Sequence, residues 1–292
     1  KTPKMIKAAH PALLPAGLAD VLPPNAVLEA KATEDLINTF AACGYERVKP
    51  PLIEFEDTLT SGSGAATADQ SFRLMDPVSQ RMLAVRADMT IQIARIATTR
   101  FPDAPRPLRL SYAGQVLRVK GSTLRPERQF GQVGAELIGS LLPAADAEVI
   151  LMAHQAIVNL GIAEISIDLG LPTLVPAICE HLDITDSNHV RQLRTALNQK
   201  DANAITKLPE PAAQVFGQLL NAVGPATDAL RVIKDISLPP SALEQCEHLE
   251  AVVSILRKKA AAMTLTLDPV EIRGYEYHSG VTFTLFSPKV RG

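Results

Sequence analysis

Cysteine is scarce in this sequence of 292 residues. The three cysteines, Cys43, Cys179 and Cys246, lie far apart and form no C-x-x-C pair. An odd number of widely spaced cysteines argues against a disulfide framework and against a cysteine-based structural zinc site. The same pattern is typical of the reducing cytosol, so we expect a cytoplasmic protein.

Signatures of metal, membrane and nucleotide binding are missing as well. The six histidines form no H-E-x-x-H pair, and no run of 18 apolar residues or signal-peptide core occurs. No glycine-rich phosphate loop of the P-loop or Rossmann type is present. A net charge of −2 gives no general attraction to nucleic acid or to anionic membranes. We therefore expect neither a metal nor a cofactor.

The order of the predicted elements indicates an α+β fold. Strands come early, short helices separated by PEP, GP and LPP breaks follow, and strands return in MTLTLD and EIRGYEYHSGVTFTLF. This order favours an antiparallel sheet interrupted by helices over a βαβ repeat. The expected division is a first core part at 1–171, a helical insertion at 172–262 and returning core strands at 263–292.

Local patterns predict several elements of the first core part. Asn25 is the expected N-cap of a helix that ends at Gly44. Residues 61–67, rich in glycine, serine and alanine, are expected to form a mobile loop. The segment FRLMDPVSQRMLAVR predicts a hairpin that turns at Asp76 and Pro77.

A second hairpin is predicted in QVLRVKGSTLRPERQFGQVGAE, residues 115–136. Arg118 and Lys120 belong to its first half, and Gln132 and Glu136 to its returning strand. One interpretation is a solvated ribbon whose charges lie in water. The other is a ligand site to which the charged ends contribute.

Two further polar clusters favour the ligand site. One is RADMT, where Asp88 is alternatively a helix cap, and the other is RGYEYHSG near the end of the sequence. An amino-acid ligand needs a carboxylate for its ammonium, an arginine for its carboxylate and polar partners for its side chain. The three clusters together supply these groups in Asp88, Arg118, Gln132, Glu136 and Arg273.

Five segments in a fixed order carry a resemblance to a known family: GLADVLP, GYERVKPP, RADMT, the hairpin and RGYEYHSG. Together they resemble the class II catalytic core of histidyl-tRNA synthetase over nearly the whole chain. The resemblance implies an antiparallel sheet flanked by helices. GYERVKPP resembles motif 1, which implies a homodimer interface at residues 44–51, and the hairpin resembles motif 2. Motif 3 and the anticodon-binding domain would lie beyond Gly292.

The departures from the synthetase pattern concern the nucleotide. Arg118 matches the motif 2 arginine, but Lys120 stands where the family has a glutamate that reads adenine. A retained amino-acid side with an altered ATP side resembles the regulatory subunits of ATP phosphoribosyltransferase, which are synthetase paralogues. That resemblance implies a non-catalytic protein in histidine biosynthesis that mediates feedback control. Its implied partner is a short-form catalytic subunit, and its ligand is free histidine; tRNA is not expected as a partner.

The same resemblance implies a role for each candidate residue. Glu136 would hold the imidazole, while Arg118 and Arg273 would face the carboxylate. Asp88, an aspartate where the synthetase has glutamate, would take the ammonium together with Gln132. The pocket would be closed by two residues of the last cluster, Tyr277 and His278, the latter in place of a family tyrosine.

Two alternatives remain open from the sequence. The first is a catalytic-core fragment of a histidyl-tRNA synthetase, and the second is a class II-like paralogue that joins another acid to an amine. All three readings share one fold, so the fold does not decide among them.

Overall fold

The computed structural model describes residues 14–60, 62–122, 126–271 and 279–289. It separates into two compact units, each made of two chain segments. The first unit is Lys1–Ala104 with Arg109–Glu136, and the second is Pro105–Leu108 with Leu137–Gly292. The three-part division expected from the sequence stays a prediction.

The first unit combines short helices with two small sheets. Its helices are α1 (Asn25–Ala42), α2 (Glu56–Thr60), a 3-10 helix (Gly62–Gln70) and α3 (Thr90–Thr99). Its strands are β1 (Glu46–Arg47), β2 (Ile53–Phe55), β3 (Arg73–Met75), β4 (Met82–Val85), β5 (Leu108–Leu117) and β6 (Gln129–Ile138), the last running two residues into the second unit. One sheet has the order β1-β5-β6 with β1 parallel to β5, and the other has the antiparallel order β2-β4-β3.

The predicted hairpin at Asp76 and Pro77 is confirmed. Strands β3 and β4 pair antiparallel, with Met75 opposite Met82. The Asp76 carboxylate accepts hydrogen bonds from the backbone N–H groups of Val78 at 3.1 Å and Ser79 at 3.2 Å. These local bonds close the turn, which is why the sequence alone was sufficient to place it.

Two local predictions are corrected. Asn25 is the first residue of α1 rather than its N-cap, which is Pro24 and makes no side-chain cap bond. The carbonyl of Leu22 accepts a hydrogen bond from the backbone N–H of Ala26. The carbonyl of Pro24 accepts from the backbone N–H groups of Val27 and Leu28. The expected loop after residue 61 is a 3-10 helix over Gly62–Gln70.

The 3-10 helix forms because side-chain hydroxyls bind carbonyls inside it. The buried Thr67 donates to the carbonyl of Gly64 at 3.1 Å, and Ser71 donates to the carbonyl of Thr67 at 3.2 Å. Composition rich in small residues does not by itself exclude such a helix, because buried serine and threonine need these partners.

The second unit contains one sheet and a set of helices. The helices are α4 (Pro143–Asn159), α5 (Leu174–His181), α6 (Ser187–Asn198), α7 (Ala202–Ile205), α8 (Ala212–Asn221), α9 (Ala226–Lys234) and α10 (Pro240–Lys259). The strands are β7 (Ser166–Gly170), β8 (Gly224–Pro225), β9 (Thr264–Asp268) and β10 (Thr282–Phe286), in the order β10-β7-β9-β8.

The sheet of the second unit is mixed. Strand β10 runs antiparallel to β7, but β7 and β9 are parallel. The helices between β7 and β9 provide the long crossover that a parallel pair requires. The α+β prediction is thus confirmed, with a parallel pair at the point where the helices interrupt the strands.

One apolar core joins the sheet and the helices of this unit. The strand residues Ile167, Leu169 and Leu267 are fully buried together with Leu197, Phe216 and Leu249 of the helices. The helical segment predicted at 172–262 therefore packs into the same core as the strands that flank it. Because its apolar residues are shared, removing the segment would expose the sheet.

Candidate functional site

Asp88 lies between β4 and α3 and makes hydrogen bonds in two directions. One carboxylate oxygen accepts from Thr90 N at 2.8 Å, and the other accepts from Gln132 Nε2 at 2.8 Å. The first bond satisfies a backbone donor at the start of α3, and the second reaches strand β6. The N-cap of α3 is Met89, which makes no side-chain cap bond, so Asp88 lies one residue before the cap although it binds the Thr90 backbone. Its role in a ligand site stays a prediction.

Gln132 holds strand β6 to the segment before α3. Its Oε1 accepts from the backbone N–H of Met89 at 2.9 Å, while its Nε2 donates to Asp88. Both ends of the amide are occupied, so the side chain has a fixed orientation. The two predicted site residues Asp88 and Gln132 are thereby brought together across 44 residues of sequence.

Glu136 lies on the same face of β6 as Gln132, since side chains two and four residues apart point the same way on a strand. It accepts a hydrogen bond from Tyr112 Oη at 3.0 Å. The same hydroxyl lies 3.2 Å from Thr90 Oγ1. A continuous polar chain thus links Thr90, Tyr112 and Glu136.

Gly134 leaves room for the Tyr112 ring. It lies between Gln132 and Glu136 on β6, and a Cβ atom at this position would collide with the ring of Tyr112. The missing side chain lets the phenol reach Glu136. The glycine is therefore part of the site, although it carries no functional group.

Burial controls the charge of this cluster. Burial raises the pKa of Glu136 to about 7, and the nearby Asp88 charge adds to the rise, while the hydrogen bonds from Tyr112 and Thr90 oppose it. Burial also raises the pKa of Tyr112, so the phenol stays a neutral donor. Two carboxyl groups in a partly buried place favour a cation between them.

Arg118 approaches the same segment from the end of β5. Its Nε donates to the carbonyl of Ala87 at 3.3 Å, next to Asp88, and its guanidinium lies 5.1 Å from the centre of the Phe130 ring. Both contacts hold a positive group beside the carboxylates. Lys120, two residues further on, is exposed.

The structure thus brings together Asp88, Arg118, Gln132 and Glu136 in the first unit. The other predicted binding residues, Arg273, Tyr277 and His278, lie outside the described residues. Their proposed contribution stays a prediction.

Sequence reasoning missed two residues of the cluster, Thr90 and Tyr112. Thr90 is the last residue of the RADMT segment, two positions after Asp88. Tyr112 lies on the strand that pairs with β6, opposite a glycine that carries no side chain. The predicted hairpin begins at residue 115, so Tyr112 lies outside it. A longer first strand would have brought the tyrosine opposite Gly134, where a glycine makes space for a ring.

Metal-ligand clusters and membrane-spanning helices are both absent from residues 14–60, 62–122, 126–271 and 279–289. In those ranges, no three His, Cys, Asp or Glu side chains are grouped so that they could hold a metal ion. Within the same ranges, every helix is too short or too polar to cross a membrane.

The whole chain is similar to proteins of a known family. The family model for histidyl-tRNA synthetase matches residues 17–292. An ATP phosphoribosyltransferase regulatory subunit from Rhodospirillum centenum is 52% identical over 281 residues, which cover 96% of this chain and 72% of the relative.

Solved structures show the same fold at low identity. An ATP phosphoribosyltransferase regulatory subunit/histidyl-tRNA synthetase from Bacillus halodurans has a TM-score of 0.81 at 22% identity, covering 100% of this chain and 75% of that one. The ATP phosphoribosyl transferase (HisG:HisZ) complex from Thermotoga maritima has a TM-score of 0.66 at 13% identity, covering 89% of this chain and 88% of that one. These likenesses confirm the class II synthetase-like α+β fold.

Proposed function

This chain belongs to the histidyl-tRNA synthetase family and, within it, to the ATP phosphoribosyltransferase regulatory subunits, and on that premise we propose that it binds free histidine. In this role the chain is non-catalytic. Bound histidine changes the activity of a separate short-form catalytic subunit and so provides feedback control of the first step of histidine biosynthesis.

The main support for histidine binding is the cluster of Asp88, Gln132 and Glu136 with Tyr112. The cluster holds two carboxyl groups close enough that Asp88 adds to the effect of burial, which raises the pKa of Glu136 to about 7. A ligand with an ammonium and an imidazole brings positive groups that can pair with these carboxyls. Arg118, held against the carbonyl of Ala87, offers a partner for the ligand carboxylate.

The nucleotide side supports a non-catalytic role. Lys120 is exposed beyond the end of β5, at the position that reads adenine in the synthetase pattern. An ammonium has three donors and no acceptor, so it does not accept a hydrogen bond from the adenine amine. Loss of that recognition weakens the activation of histidine by ATP.

Regulation of a partner requires that histidine bind two states of the assembly unequally. A coupling free energy of about 1–3 kcal/mol, or roughly 5- to 150-fold in affinity, is the usual scale. The relatives are named as regulatory subunits of ATP phosphoribosyltransferase, and the Thermotoga maritima structure is a HisG:HisZ complex. Both findings support a catalytic subunit as the partner.

Calorimetry with free histidine tests the binding site. Asp88→Asn and Glu136→Gln should each weaken binding by about 1–3 kcal/mol, the scale for a charge-assisted hydrogen bond in a desolvated pocket. Glu127→Gln, an exposed change on the same hairpin, is the matched control. Equal affinity of all four proteins would remove the cluster from the histidine site.

A reconstitution assay tests regulation. The protein is mixed with a short-form ATP phosphoribosyltransferase, and the transferase rate is followed while histidine is added. We expect the transferase rate to respond to histidine only when this chain is present. With Glu136→Gln, the same response should require a higher histidine concentration. A rate that does not depend on the chain would contradict the regulatory role.

The alternative of a synthetase core rests on the family model, whose description is histidyl-tRNA synthetase. ATP–pyrophosphate exchange dependent on histidine separates the two. Robust exchange by the full protein would favour the synthetase, and none is expected if Lys120 removes adenine recognition.

We also propose a homodimer through residues 44–51. In the first unit, a groove of about 760 Å³ is lined by Pro50, Pro51, Phe55 and neighbouring residues, and Leu52 and Ile53 are more than one third exposed. Apolar side chains at such a groove indicate an interface, and an obligate one buries well over roughly 1,200 Å². Sedimentation should show a dimer that is dissociated by Val48→Asp, a change at a groove residue within 44–51. A monomer at micromolar concentration would refute the proposal.

A further inference from the structure

A cavity in the second unit lies between α5 and α6. It has a volume of about 280 Å³ and is lined mainly by Val175, Pro176, Ile184, Val190 and Leu193. This size lies just below the range of about 300–1,000 Å³ that is usual for small-molecule sites. The walls are aliphatic, so the cavity favours a short apolar chain.

Arg194 brings a positive charge to the cavity wall. It follows Leu193 on α6, and its Nε is buried without a hydrogen-bond partner among the described residues. A buried donor that lacks a partner costs free energy, and such groups are rare in folded proteins. Arg194 lines the cavity, so its positive charge attracts an anionic group placed there.

The geometry of arginine selects the acceptor. The guanidinium is a planar fork whose N–H groups point in parallel pairs, so one pair matches the two oxygens of a carboxylate. Cys179 and Glu180 also line the cavity. Cys179 remains a neutral thiol because burial raises its pKa, although the Arg194 charge opposes this, and Glu180 is exposed. Arg194 is the single cation among the described residues that line the cavity, so it matches one negative group on a ligand.

We propose that this cavity is a binding site for a small aliphatic monocarboxylate, whose carboxylate pairs with Arg194 and whose chain packs between α5 and α6. This site is separate from the histidine site, and its existence does not depend on the proposed function. It would give the helical segment a ligand of its own.

Sodium isovalerate is a suitable probe because it combines a branched four-carbon chain with one carboxylate. Binding to the full protein is measured by saturation-transfer NMR and by titration calorimetry, in parallel with isovaleramide, which has the same shape without the charge. We expect saturable binding of isovalerate and binding of the amide about tenfold weaker or worse, because a charge-assisted pair is lost.

Three variants complete the test. Arg194→Gln should lose about tenfold or more in isovalerate affinity, and Val190→Phe should abolish binding by filling the cavity while leaving the arginine in place. Arg191→Gln, on the exposed side of the same helix, should bind like the parent. If Arg194→Gln fails to fold, Val190→Phe and the amide comparison still decide.

The proposal is overturned if the parent shows no saturable binding of isovalerate. It is also overturned if the amide binds as well as the acid, or if Val190→Phe binds like the parent.

Discussion

Replacing Glu136 with glutamine should stabilise the unliganded protein at pH 8 while weakening its affinity for histidine. Burial raises the pKa of this carboxyl from its ordinary 4.5 to about 7, with a further contribution from Asp88. At pH 8 the folded protein therefore holds a carboxylate in a place that disfavours its charge. Glutamine keeps the shape and the acceptor for Tyr112 but carries no charge.

Proton binding at Glu136 decides whether the free energy of unfolding rises or falls with pH. Between pH 4.5 and about 7 the folded protein binds more protons at this group than the unfolded chain does, so the free energy of unfolding falls as pH rises. The favourable contribution is complete below pH 4.5 and lost above about 7. The glutamine variant has no such decline.

The raised pKa of Glu136 sets the size of the expected difference in stability. Each pKa unit corresponds to about 1.4 kcal/mol, so the raised pKa of Glu136 costs at most about 3 kcal/mol at pH 8. The glutamine side chain is polar and keeps part of the burial cost, which lowers the expected gain to about 1–3 kcal/mol. At pH 5 the two proteins should differ by less than about 1 kcal/mol, because the native carboxyl is already protonated.

Urea unfolding followed by circular dichroism at pH 5 and pH 8 measures the effect, since the chain has no tryptophan to report by fluorescence. Amide hydrogen exchange in β5 and β6 reports the opening of the first unit itself. Glu127→Gln is the exposed control and should be neutral at both values. A glutamine variant that is less stable than the parent at pH 8 would refute the reasoning, because hydrogen bonding and not charge burial would then dominate.

Further changes test other parts of the site and its scaffold. Gly134→Ala should displace the Tyr112 ring and weaken histidine binding, as measured by calorimetry. Gly131→Ala is the control and should bind histidine like the parent, because its Cβ would mainly meet the end of a flexible side chain. Equal affinities of the two variants would show that the ring position is unimportant for binding. Arg86 donates to the carbonyls at residues 50, 51 and 115, so Arg86→Lys should lower the free energy of unfolding by about 2–4 kcal/mol, while the exposed Arg47→Lys should change it little. If Arg86→Lys lowers the free energy of unfolding no more than Arg47→Lys does, then lysine or water replaces the hydrogen bonds that Arg86 makes.

The sequence alone determined features that depend on neighbours in the chain. The turn at Asp76 closes through bonds to residues two and three positions later. The alternation of β6 places Gln132 and Glu136 on one face whatever the rest of the fold does. Such periods and turns are local, and a single sequence displays them directly.

Other features needed the tertiary structure because they join distant residues. The helices that separate β7 from β9 make these strands parallel, which no local pattern specifies. Asp88 meets Gln132 only after β6 packs beside α3, and Tyr112 reaches Glu136 only because Gly134 opposes its ring.

The charge state of the site also needed the tertiary structure. Glu136 is an ordinary glutamate in the sequence, and its raised pKa arises from burial and from Asp88, which comes from another element. The buried Arg194 Nε likewise follows from the packing of α6 against α5. Composition and periodicity report which groups a chain has, whereas burial and distance, which decide how those groups behave, exist only once the chain has folded.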